Sequence, residues 1–144
     1  MGPEEARSGE AATGTKKMAE NESRRQTLMD LYRSFNARDM DDVLSHLAPG
    51  VDWPNGWEGG REHGREAVRR YWTRQWAEID PRAEPLAIDF DDEGKAHVRV
   101  HQLVRSRDGK ILDDRKVGHV YEFEGPFISR MTIVPAAPDE DEED

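Results

Sequence analysis

The chain has 144 residues, 35% of them hydrophobic, which is enough for one buried core and too few for two. It has no cysteine, which excludes disulfides, thiolate nucleophiles and Cys-ligated zinc. The net charge of −10 is concentrated at the end, because 139–144 is an unbroken run of six acids and the rest carries −4.

Residues 1–21 are rich in Gly, Glu, Ala and Thr without periodicity, and are expected to be a disordered leader. They lack the apolar stretch of a secretory signal, and no run approaches the ~20 apolar residues that span a bilayer. With no cysteine and no such segment, the expected location is cytoplasmic, away from membranes. Arg and Glu are evenly mixed rather than gathered into a basic stripe, so no nucleic-acid partner is expected. The folded unit is expected over 22–134, and 135–144 is expected to be an acidic, solvated tail.

Leu28, Leu31, Tyr32 and Phe35 follow the i, i+3, i+4, i+7 spacing of one buried helix face. Asp39 is placed to cap a second, short helix that buries Met40, Val43, Leu44 and Leu47. Ala48-Pro49-Gly50 should end it, and 51–55 reads as a brief strand with Val51 and Trp53 on one face. The glycine-rich stretch around Trp57 reads as a loop. A third helix follows, with Val68, Trp72, Gln75, Trp76 and Ile79 on its apolar stripe. After Pro81 and Pro85 the pattern changes to strands over 86–91, 96–105, 112–123 and 127–134. Helices followed by an antiparallel meander make an α+β fold. All four tryptophans, Trp53, Trp57, Trp72 and Trp76, fall between the helical half and the strand half, where they can wall a core or a pocket.

His119 shares its strand face with the apolar Val117, Tyr121 and Phe123, so its ring should point inward. Burial disfavours the charged imidazole, leaving a neutral ring that can give or take a proton, or a core histidine bonded to a neighbour. The face of His101 depends on the turn at Asp108-Gly109. A two-residue turn puts Val98, Val100, Gln102 and Val104 on the His119 face and turns His101 outward. A three-residue Arg107-Asp108-Gly109 turn reverses this. The first gives the cleaner apolar face, so Gln102 is the polar pocket candidate and His101 is structural or interfacial. Asp52 would face inward, as a base close to His119, only if a bulge rotated its strand; otherwise it meets solvent or caps a helix. No metal site is expected: His97 and His101 lie about 13 Å apart along one strand, and no helical ligand spacing is present. P-loop, G-x-S-x-G and G-x-G-x-x-G motifs are missing, and no cofactor is expected.

Several segments together carry a family resemblance. They are 31–39 (LYRSFNARD), 51–53 (VDW), 63–68 (HGREAV), 118–123 (GHVYEF) and 128–131 (ISRM). In their order and setting the chain resembles the SnoaL-like group of the nuclear transport factor 2-like superfamily. The resemblance implies a cone-like curved antiparallel sheet packed against three helices around one apolar cavity. It also implies a homodimer through the outer sheet face. Against the ketosteroid isomerase pattern of that superfamily, Trp53 stands where the base would be, with Asp52 beside it. Leu31 takes the place of the helix tyrosine, one residue before Tyr32, and His119 takes the place of the late acid. The Asp-Arg-Asp arrangement of epoxide hydrolase relatives lacks its first carboxylate at Arg99-Val100-His101. The expectation is therefore a cavity protein for a small apolar or aromatic ligand. It would be a cofactor-free isomerase or cyclase using His119, with Asp52 as base where a bulge turns it inward, or a binding protein without chemistry. The pocket candidates are Tyr32, Phe35, Trp53, Trp57, Trp72, Trp76, Gln102 and Tyr121.

Overall fold

The computed structural model describes residues 2–137, with side chains from Gly14 onward. The acidic run 139–144 lies outside the described residues. Helix α1 (Gly2–Asn36) begins far ahead of the expected start, running through the stretch read as a leader. Its Ala, Glu and Lys residues favour helix, and residues 14–20, exposed all round, add nothing to the core. The buried face of α1 is the expected one, with Leu28, Leu31 and Tyr32 inside and Phe35 packed beside them. The helix ends in a Schellman arrangement: Asp39 N–H bonds Ser34 O and Arg38 N–H bonds Phe35 O. Arg38 occupies the left-handed position at φ 63. Its guanidinium holds Asp80 and the Pro81 carbonyl, pinning the end of α1 to the following sheet.

Asp39 then caps α2 (Met40–Ser45) by accepting from the Asp42 N–H. Strand β1 (Leu47–Pro54) starts earlier than expected, taking in Ala48-Pro49-Gly50. It can do so because its pairing is irregular between Leu47 and Asp52, where Pro49 has no N–H to contribute. A short β2 (Arg61–His63) is too brief to leave a periodic signal. Helix α3 (Arg65–Glu78) stops one residue short of Ile79. Ile79 instead opens β3 (Ile79–Phe90), because Pro81 forces the residue before it out of the helical region. The prolines that made 79–85 look non-strand are tolerated because β3 is an edge strand, with a bulge between Pro85 and Ala87. Strands β4 (Ala96–Ser106), β5 (Ile111–Glu124) and β6 (Phe127–Pro135) complete the chain.

The result is α+β: three helices against a curved six-stranded sheet in the order β2-β1-β6-β5-β4-β3. All pairs are antiparallel except β1 with β6, which is parallel. The β4–β5 register puts Val98 opposite His119, Val100 opposite Val117 and Gln102 opposite Arg115. Val98, Val100 and Gln102 therefore share the face of His119. The turn nevertheless has three residues: Ser106 N–H bonds Lys110 O, and Gly109 is left-handed at φ 95. A one-residue shift between Val104 and Arg105 restores the register that a two-residue turn would have given. The two turn readings were not exclusive after all. Among the described residues no helix is long and apolar enough to cross a membrane.

Candidate functional site

A hollow of about 250 Å³ lies between the inner sheet face and the helices. Helix α1 supplies Tyr32 and Phe35, one turn apart; β1 supplies Trp53; β5 supplies His119 and Tyr121, two residues apart and so on one face. Trp72 from α3 and Gln102 from β4 also line it, and Trp57 reaches in from its loop while staying 37% exposed.

At one end three buried polar groups form a relay. The Tyr121 hydroxyl is 2.8 Å from the Tyr32 hydroxyl, which is 2.8 Å from Nδ1 of His119. Each tyrosine has a single hydrogen to give. Tyr121 is fully buried, and the Tyr32 oxygen is its hydroxyl's partner, so its hydrogen goes there. Tyr32 must then donate to Nδ1 of His119, which is an acceptor. The proton of the neutral ring therefore sits on Nε2, the nitrogen left for the cavity. Burial lowers the His119 pKa to about 4, so the ring is neutral near pH 7. Burial also raises Tyr32, with Tyr121 adding to the effect, and raises Tyr121, so neither phenol ionises. A neutral imidazole presenting N–H into a hollow is a hydrogen-bond donor without a charge.

The aromatic walls are in contact. Trp53 meets Trp72 edge-on at 5.4 Å and Tyr121 at 6.2 Å. Trp76 does not line the hollow: it stacks behind Trp72 at 5.9 Å, and Phe35 sets its edge against both. The helical stripe facing inward is Val68, Tyr71, Trp72 and Gln75, rotated toward Tyr71 from the expected one. The i, i+3, i+4, i+7 spacing of those four residues was the signal for Tyr71. Burial pushes the Tyr71 phenol up to about 12.

Asp52 stays outside the hollow. Its carboxylate takes hydrogen bonds from Arg61 and Arg130, and His63 Nδ1 is 3.7 Å away. Burial pushes its pKa up, but the hydrogen bond and charge of Arg61, with the charge of Arg130, outweigh this and hold it below the ordinary carboxylate value. No bulge turns Asp52 inward, because these two guanidinium groups anchor it on the other face. His101 also points away, with Nε2 2.6 Å from Asp114. The carboxylate that does line the hollow is Asp113, which sequence reasoning missed. It is held by Arg115 Nε at 3.0 Å and Gln102 Nε2 at 3.0 Å. Among the described residues no three His, Asp or Glu side chains converge as metal ligands would.

The family model of the SnoaL-like domain matches residues 28–131. The chain belongs to the SnoaL-like family, within the nuclear transport factor 2-like superfamily. No curated protein matches this SnoaL-like chain. Among solved structures, it is similar to a nuclear transport factor 2-like protein of unknown function from Burkholderia pseudomallei. That match has 25% identity and a TM-score of 0.68 over 77% of this chain and 88% of the other. It is similar to a candidate polyketide cyclase from Sinorhizobium meliloti at 22% identity, with a TM-score of 0.64 over 75% of this chain and 93% of the other. It is also similar to TerC, crystallised with polyporic acid, at 19% identity, with a TM-score of 0.68 over 78% and 90% of the two chains. The last two likenesses concern the fold alone.

Proposed function

We propose that this SnoaL-like protein takes a small, flat, carbonyl-bearing aromatic molecule into the hollow and acts on it without a cofactor. The reaction class is isomerisation or cyclisation through proton transfer beside the carbonyl. The Nε2–H of His119 donates to the carbonyl oxygen and stabilises the negative charge that develops there. The observation that carries this reading is the Tyr121–Tyr32–His119 relay, which holds the ring as a neutral donor. A neutral donor is suited to an enolate-like oxygen because it costs no buried charge when the site is empty. Trp53, Trp72 and Trp57 supply the flat apolar surface that such a ligand would cover.

A second reading, binding without chemistry, draws on one observation. Asp113 lies six residues from His119 along β5, roughly 20 Å away, and is already tied to Arg115 and Gln102. Among the described residues no carboxylate base therefore accompanies the donor, and in the catalytic reading the carbon's proton passes to water or to a group of the substrate itself.

Polyporic acid, the molecule crystallised with TerC, is a first probe. Calorimetric titration of wild type and His119→Phe should show binding that weakens by about tenfold in the variant. Equal affinity in both proteins would remove His119 from the site. Incubation of candidate carbonyl substrates with product analysis separates the two readings, since a binder leaves them unchanged. A homodimer through the outer sheet face, where His101 and Asp114 lie, belongs to the same proposal. Sedimentation as a monomer at micromolar concentration would overturn it.

A further inference from the structure

The hollow has a second polar end that the relay does not use. Tyr71 and Gln75 stand one turn apart on α3 and both line the cavity. Gln75 is 9% exposed, and its Nε2 reaches the Tyr71 hydroxyl oxygen at 3.3 Å. Its Oε1 is shielded from solvent and has no hydrogen-bond partner among the described residues. The Tyr71 oxygen already accepts from Gln75 Nε2, so the phenol's own hydrogen is left to point elsewhere. A buried amide oxygen with no partner is destabilising, and on a side chain that lines a cavity it needs only a small turn to meet a guest that brings the missing hydrogen.

We infer that Gln75 and Tyr71 form a subsite for a hydroxyl group of the ligand. A hydroxyl can give its hydrogen to Gln75 Oε1 while its lone pair takes the Tyr71 hydrogen. A carbonyl has no hydrogen to offer Oε1, and a charged group would be penalised by the burial that raises Tyr71. Trp53 links the two polar ends, since it touches Tyr121 on the His119 side and Trp72 on the α3 side. With a carbonyl at His119, the ligand class becomes a flat aromatic ketone carrying a hydroxyl at its far end. This deepens the cavity reading and rests on it.

The test is calorimetric titration of the full chain with benzophenone and para-hydroxybenzophenone, which differ only by the hydroxyl. Wild type should bind the hydroxylated ketone about tenfold more tightly. Gln75→Leu should abolish that preference by weakening the hydroxylated ketone alone, leaving benzophenone within about twofold. Tyr71→Phe should narrow the preference in the same direction, and circular dichroism checks that each variant is folded. If Gln75→Leu does not fold, Gln75→Met carries the same comparison. Equal losses for both ketones, or a wild type without preference, overturn the subsite while leaving the cavity reading intact. A wild type that binds neither ketone overturns both.

Discussion

The hydroxyl of Tyr32 lies 2.8 Å from Nδ1 of His119, joining α1 to β5 across 87 positions of sequence. Tyr121 holds the other side of the same hydroxyl, so one oxygen organises both the helix–sheet contact and the imidazole tautomer. The relay thus ties helix to sheet and sets which ring nitrogen carries the proton. Its energy and its function should fail together.

Tyr32→Phe removes that oxygen, leaving the Tyr121 hydrogen and His119 Nδ1 both buried without partners. Each unpaired group costs about 1–3 kcal/mol, so urea denaturation should show a loss of about 2–6 kcal/mol. Nitrogen NMR of the imidazole should show a wild-type ring protonated on Nε2 and a variant ring no longer confined to that tautomer. A loss under about 0.5 kcal/mol would mean that the hydroxyl is not tied as described.

Stability should depend on pH through His119. The unfolded chain takes up a proton near pH 6.5, whereas the folded ring resists it down to about 4 because it is buried. Above pH 6.5 the contribution is complete, and it is lost progressively as the pH falls toward 4. The window corresponds to about 3 kcal/mol. Denaturation midpoints measured from pH 7 to 4 should therefore fall more steeply for wild type than for His119→Gln. Parallel curves would mean that the ring is solvated in the folded protein.

Much of this site was legible because its signals are local and periodic. The spacing of Leu28, Leu31, Tyr32 and Phe35 gave the inner face of α1, and alternation on β4 and β5 put Val98 and Gln102 on the face of His119. What failed to register depended on distant partners. Edge position, invisible in the chain, is what lets Pro81 and Pro85 sit in β3. The direction of Asp52 is decided by Arg61 and Arg130, nine and 78 residues away. Tyr71 was legible but hidden by Trp76, whose apolar bulk drew the helical stripe one position too far.

Asp52→Asn should separate stability from binding. The carboxylate is 18% exposed and bonded to two guanidinium groups, so neutralising it should cost about 1–2 kcal/mol in denaturation. Because it lies outside the hollow, affinity for a bound ketone should stay within about twofold of wild type. A larger loss of affinity, with the fold intact, would bring Asp52 back as a cavity residue.

Gly118→Ala tests how closely β5 and β6 are pressed together beside the site. An added Cβ would stand 2.8 Å from Val134 Cγ2 and 3.2 Å from the Pro135 carbonyl oxygen. The first contact cannot exist without movement, and overpacking of this kind costs about 1–3 kcal/mol. Val134→Ala in the same chain removes the closer contact but keeps the backbone oxygen, so it should restore only part of the stability. His119 is the next residue, and any shift of β5 that accommodates the methyl also moves the imidazole relative to Tyr32. Ligand affinity should therefore fall with stability in Gly118→Ala and recover with it in the double variant. A single variant that loses stability but keeps full affinity would show that the relay, rather than strand spacing, sets the position of the ring.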